Sequence, residues 1–283
     1  PSAPARRPRF PAFERFRLAT GLEVLLAPRH AVPTVEIALQ LPTGAERNPL
    51  DRPGLAALTA SLVDEGTPEA GALALGLVPR HRGISADEPG APVWPRDGRG
   101  HFALGADDEG LAWLPRDPVF MINWHGAMSY AAWLSRRTGR PYRLPGELEH
   151  EKAARGADAR AFPWGDFFDP SWACMRLSGA TGLRPASVDA FAVDESPFGA
   201  RHLAGNVVEW CADEYRRAGP PLDGGLYVPP VGLTADAPIT DRTLRGGCFL
   251  FDSFLLRAAT RHDSNSNLRD VSLGFRLARS FAP

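Results

Sequence analysis

This 283-residue chain has almost no lysine, glutamine or cysteine. Lys152 is the one lysine and Gln40 the one glutamine, so 31 of the 32 basic residues are arginine. Dense arginine, few thermolabile amides and 28 prolines fit a thermophilic source. The three cysteines, Cys174, Cys211 and Cys248, lie far apart. They form neither a CxxC pair nor a disulfide framework, so buried free thiols are expected. An apolar run of about 20 residues is also missing, which excludes a spanning helix. The opening "PSAPARRPRF" is basic but has no apolar core, so it is no secretory signal, and the cytoplasm is the default expectation. A net charge of −1 without a basic stripe argues against nucleic acid as the main partner.

With 44% hydrophobic residues the chain can bury one large core or two ordinary ones. Over residues 13–41, apolar residues alternate at Leu22, Val24 and Leu26, then at Val35, Ile37 and Leu39, which predicts two strands. A helix is predicted from near Asp51–Pro53, with Leu55, Leu58 and Leu62 on one face and Gly66 as its stop. Residues 68–100 read as an irregular connection. Further on, Val119–Trp124 reads as a strand. A helix with Ala127, Tyr130, Ala131 and Leu134 on one face then ends at Gly139, and a shorter helix runs from Pro145-Gly146 to Gly156.

The stretch "GLAALTASLVDEGT", Gly54 to Thr67, resembles the opening of insulinase-like zinc peptidases. The zinc ligands and base of that pattern fall on Ala57, Ala60 and Ser61, none of which can bind zinc or move a proton. The resemblance is to a scaffold fragment without peptidase activity.

Three later blocks, "RLPGELEHEKAARG…FPWGDFFDPSW", "HLAGNVVEWCADEY" and "TLRGGCF…LGFRLAR", resemble in order the formylglycine-generating, sulfatase-modifying family. That resemblance spans roughly residues 77–279 and implies a C-type-lectin-like α+β fold. His150 departs from it, standing where the family usually has Trp. Read as residues, the blocks are structural. Pro163 to Asp166 is a tight turn whose Trp164 N–H needs an acceptor. Gly205-Asn206 supports a left-handed turn with Trp210 packed inward. Arg245-Gly246-Gly247 lets a strand approach another backbone.

Catalytic members of the family hold copper on two cysteines after Arg-Gly-Gly. Those places fall near Phe251 and Leu256, and Cys248 is offset from both. A soft metal needs clustered sulfur or imidazole. The seven histidines (His30, His81, His101, His125, His150, His202, His262) have no ligand spacing, so neither copper nor iron oxidase chemistry is expected. Some members bind calcium near the Gly-Asn segment, which would map to Gly205, Val207 and Glu209. His202, however, replaces an expected Asn oxygen ligand. The competing reading makes Glu209 a buried acceptor for backbone or an arginine.

The closing segment resembles a non-catalytic branch of the fold, the variable proteins of diversity-generating retroelements. Their last segment is rewritten by mutagenesis of adenines in AAY asparagine codons. The suspected positions are Leu250, Phe251, Asp252, Ser253, Phe254, His262, Asp263, Ser264, Asn265, Ser266, Asn267, Asp270, Val271 and Ser272. All hold residues that such a codon can reach, and none holds Trp, Met, Lys, Glu or Gln, which it cannot. Two of the five asparagines, Asn265 and Asn267, lie among them. Positions that exchange Phe, Asp and Ser cannot be packed core, so they are expected to point to solvent. Truncating Phe251 and Phe254 together should therefore leave the melting temperature nearly unchanged. Arg257, Ala258, Ala259, Leu273, Phe275 and the Gly pair are the expected fixed frame. Exposed Phe beside Ser, Asp, Asn and His resembles a paratope.

The resulting expectation is a non-enzymatic binding protein without a resident cofactor. It has a β-β-α segment and linker over 1–76 and a C-type-lectin-like domain over 77–283. The domain would present its C-terminal face to a macromolecular partner, a protein surface by its mixed polarity. The alternatives are a divergent oxidase with Cys248 at an unrecognised site, or a degenerate accessory module of a kinase or peptidase system.

Overall fold

The computed structural model describes residues 14–17, 23–26, 78–80, 90–94, 106, 113–179 and 184–279. The chain divides into two compact units, Pro1–Leu39 and Gln40–Pro283. In the first, strands β1 (Glu14–Arg17) and β2 (Glu23–Leu26) pair antiparallel, with Phe16 opposite Val24. The alternation at Val24 and Leu26 thus marks a strand, paired with residues 14–17. The strand expected at Val35–Leu39 and the helix expected after Asp51 lie outside the described residues, as do Ala57, Ala60 and Ser61.

In the larger unit, helix α1 is Trp124–Thr138 and helix α2 is Glu147–Arg155. Asn123 caps α1 by accepting from the Gly126 amide at 2.9 Å, and Gly139 closes it in the left-handed region. Helix α2 starts after Gly146 and ends at Gly156, as the punctuation predicts. The strand expected over Val119–Trp124 does not form. Only Phe120 makes a bridge, to Gly274, Met121 has φ +61°, and Trp124 already belongs to α1. The Asn123 cap turns the chain into a helix before a strand can extend.

The strands of this unit are β3 (Tyr142–Arg143), β4 (Val208–Glu214), β5 (Leu222–Asp223), β6 (Leu226–Tyr227), β7 (Asp241–Arg245), β8 (His262–Asn265), β9 (Leu273–Gly274) and β10 (Ala278–Arg279). A four-stranded sheet has the order β8-β7-β4-β9, antiparallel except for the parallel β4–β9 pair. β10 pairs with β3, and β5 with β6. Along β4 the side chains alternate in role. Val208, Trp210 and Ala212 join the apolar core with Trp124, Ile122 and Leu244. Glu209 and Asp213 turn toward α2, meeting the His150 ring and the Glu147 amide. Two buried indoles find acceptors: Trp124 donates to the Cys211 carbonyl at 3.0 Å and Trp210 to the Ile122 carbonyl at 2.9 Å.

The Gly205-Asn206 turn holds the sheet against the rest. Gly205 has φ +115°, and a Cβ there would lie 2.4 Å from the Cys174 carbonyl oxygen. Asn206 (φ +65°) accepts from the Ala186 amide and donates to its carbonyl. Only glycine fits the first position, and asparagine tolerates the second. All three cysteines are buried and outside any disulfide. No helix among the described residues is long and apolar enough to cross a membrane.

Candidate ligand-binding surface

The segment 246–273 leaves the end of β7, crosses the 3₁₀ turn Ser253–Leu256, returns as β8 and re-enters the sheet at β9. Main-chain atoms hold it at intervals. The Phe249 amide donates to Asn206, the Arg176 amide to the Phe251 carbonyl, and the Ala258 amide to Ala161 (2.8–3.2 Å). The Trp124 amide donates to the Ser266 carbonyl and Val208 to Ser272. β8 pairs with β7 from Leu244–His262 to Asp241–Asn265. Such bonds are indifferent to the side chains of the residues that make them.

Two arginines, one buried and one half-buried, reinforce this frame. Arg245, wholly buried, donates to the carbonyls of Ala258 (3.1 Å) and Thr260 (2.9 Å) and pairs with Glu147 and Glu151. Arg261 pairs with Glu147, donates to the Arg216 carbonyl at 2.8 Å and lies over the Tyr215 ring. Gly247, at φ +70°, brings the backbone against Leu255 and Leu256. Ala258, Leu273 and Phe275 are buried, as expected of a frame. Arg257 and Ala259 are not: both are exposed, because Ala258 alone points inward at that turn. Arg261 and Arg276 are frame residues that the sequence reasoning missed. Their place inside the "LRAATR" and "LGFRLAR" runs, which resemble the family's pattern, was the available signal.

Of the fourteen suspected positions, Leu250, Phe254, Asp263 and Val271 are exposed, with Phe254 at 60%. Nine others are half-buried: Phe251, Asp252, Ser253, His262, Ser264, Asn265, Asn267, Asp270 and Ser272. Asp252 forms an ion pair with Arg176, and the Phe251 and His262 rings lie 5.1 Å apart. Asn265 and Asp270 accept the amides of Asn267 and Ser272. Burial holds the His262 imidazole below its usual pKa.

Two positions depart from the solvent-facing expectation. Ser266 is fully buried. Its Oγ lies 3.1 Å from His125 Nε2 and accepts the Thr240 amide, while His125 Nδ1 meets the Ala235 carbonyl at 2.7 Å. A hydroxyl is required there to satisfy buried partners. Phe251 packs on both the main core and the smaller cluster of Phe162, Ala173, Met175, Ala204 and Leu256. The expectation that its loss is neutral is therefore corrected, because its ring fills space between two cores.

The metal positions are occupied by other chemistry. Both Glu209 oxygens are taken by Arg276, and Nε2 of His150 lies 2.8 Å from Oε2. Arg276 also donates to the carbonyls of Arg201 and His202. A guanidinium thus neutralises the carboxylate that calcium would need beside Gly205 and Val207, and Glu209 is the arginine acceptor of the competing reading. Copper on paired thiolates does not fit either. Cys248 is buried with its pKa pushed up to about 12, and the chain positions corresponding to the thiolates carry Phe251 and Leu256. Among the described residues no group of three or more His, Cys, Asp or Glu could hold a metal ion.

A family model described as "Sulfatase-modifying factor enzyme 1-like domain" matches residues 92–281. The serine/threonine-protein kinase Pkn1 of Chlamydia trachomatis is 33% identical over 58% of this chain and 24% of its own length. The formylglycine-generating enzyme of Streptomyces coelicolor is 32% identical over 67% of this chain and 61% of its own. The chain thus spans about a quarter of the length of the kinase relatives. Among solved structures, PvdO from Pseudomonas aeruginosa matches with TM-score 0.51 and 26% identity, covering 60% of this chain and 65% of that one. Treponema denticola variable protein 1 matches with TM-score 0.45 and 21% identity, covering 65% and 76%.

Proposed function

We propose that this chain, which belongs to the sulfatase-modifying factor enzyme 1-like family and has its C-type-lectin-like fold, is a non-catalytic binding protein. Its C-terminal surface, diversified by a retroelement, contacts a macromolecular ligand. One observation carries the reading: the segment 246–273 is anchored mainly through backbone atoms and buried frame residues, while four of its fourteen suspected positions are exposed and nine are half-buried. A backbone held independently of its side chains tolerates rewriting of those side chains. Exposed Leu250, Phe254 and Val271 beside Asp263 supply the contact area and short polar groups that a paratope uses.

The experiment is genomic. Sequencing the locus should find a near-copy of the last coding segment beside a reverse transcriptase, differing from it chiefly at adenines. A locus with neither would sink the diversification reading.

A divergent oxidase is the second reading, supported by relatives named as enzymes. The lone buried thiol at Cys248 stands against it. The kinase relatives, matched over a quarter of their length, support an accessory-module reading in the same sense.

A further inference from the structure

We propose that the aromatic cluster of Trp164, Phe167 and Trp172 is a second contact surface, one that takes the guanidinium or ammonium side chains of a basic peptide segment. It lies outside the fourteen suspected positions and does not depend on their diversification. The turn Phe162–Gly165 is closed by two reciprocal main-chain bonds of 2.9 and 3.0 Å. Trp164 stacks on buried Phe162 at 5.2 Å with planes 2° apart, and its Nε1 donates to the Phe167 carbonyl at 2.8 Å. Trp172 stands edge-on to Trp164 at 6.1 Å, and Phe167 lies 5.6 Å from Trp172. The rings are therefore fixed before any ligand arrives. Phe167 is nevertheless 70% exposed, although its neighbour Phe168 packs on the core. A rigid aromatic group left open to water is the signature of a contact surface.

The surrounding charge selects the partner. Asp158 is paired with Arg160, and Asp252 with Arg176. Asp166 accepts the Ala161 amide, and Asp169 accepts from the Ser171 amide and hydroxyl. Asp166 also faces the Arg160 guanidinium, whereas Asp169 forms no ion pair among the described residues. Around the rings, the four carboxylates Asp158, Asp166, Asp169 and Asp252 thus outnumber the two guanidinium groups, Arg160 and Arg176, that pair with or face them. Aromatic faces and carboxylates attract the same sign of ligand, so an arginine or lysine side chain is favoured twice over and an acidic one is repelled.

The test uses the full chain and an acetylated, amidated Gly-Arg-Gly-Arg-Gly peptide, followed by tryptophan fluorescence and calorimetry. Saturable binding is expected that weakens with salt and falls at least about threefold in Phe167→Ser, as loss of one cation–π partner implies. Asp166→Asn keeps the acceptor for the Ala161 amide and should also weaken binding, which guards against a folding defect in the first variant. A Leu250→Ser/Phe254→Ser variant should bind this peptide unchanged, separating the result from the fate of the diversified surface. The proposal is overturned if the two cluster variants bind as the parent does. It is equally overturned if a Gly-Glu-Gly-Glu-Gly peptide or a maltose oligomer binds as tightly.

Discussion

Arg245 reaches from the end of β7 to the carbonyl oxygen of Ala258 at 3.1 Å, with no part of its side chain exposed. A buried positive charge thus holds a turn through its backbone, inside the segment whose side chains vary most in character. Its own charge is balanced from α2, by Glu147 and Glu151.

Replacing Arg245 with leucine should destabilise the domain by about 3–5 kcal/mol, because buried Glu147 is left with Arg261 and the Thr243 hydroxyl as partners. Arg257→Ala, in the same turn but exposed, should stay within about 0.5 kcal/mol. Urea unfolding of the two variants checks the contrast. Equal effects would mean that the frame does not depend on the Arg245 bonds.

The exposed quartet offers a complementary test. Leu250→Ser, Phe254→Ser, Asp263→Asn and Val271→Asp combined should shift the melting temperature by no more than a few degrees, since each side chain has solvent to face. Phe251→Ala alone should cost about 1–3 kcal/mol, as a half-buried ring between two clusters. A quartet that unfolds the domain would remove the physical basis for a rewritable surface.

Acid sensitivity should reside in His202. Burial and the Arg276 charge lower its pKa from 6.5 to about 4 in the folded chain. A histidine whose folded pKa is depressed contributes stability above its unfolded pKa and loses it as pH falls toward the folded one. The parent should therefore lose up to about 3 kcal/mol relative to His202→Asn between pH 6.5 and 4. Asparagine suits the left-handed backbone at that residue (φ +53°). Buried Asp194, pushed well above the carboxylate range by desolvation, works in the opposite direction, so the difference between the two proteins is the quantity to measure.

Copper provides the test between binding protein and oxidase. Titration with Cu(I) under a competing chelator should show no tight stoichiometric site that Cys248→Ser removes. The buried thiol, raised to about 12, carries almost no thiolate at neutral pH, and the thiolate is the metal ligand. Stoichiometric binding lost in that variant would revive the oxidase reading.

Much of this protein was legible as a string of residues. Gly139 and Gly156 announced the helix ends because each takes a positive φ that other residues avoid, and Gly146 announced a start although its backbone is ordinary extended chain. Gly205-Asn206 announced its turn by its positive φ angles, and the widely spaced cysteines announced their burial. Local chemistry decides such features, so local sequence carries them. Val119–Trp124 shows the limit: its apolar run suits a strand, yet the Asn123 cap and a positive φ at Met121 redirect it.

What the sequence alone determined was the order of frame and filling toward the carboxyl end and the class of fold that frame belongs to. Which filling residues face water was decided only by tertiary structure. Ser266 and Asp263 are equally short and polar, yet one satisfies His125 and Thr240 in the interior while the other stands on an edge strand in solvent. Arg261 and Arg276 likewise became structural through Glu147 and Glu209, partners 114 and 67 residues away in the chain. Burial and pairing at such separations depend on which surfaces meet, and no local pattern encodes that.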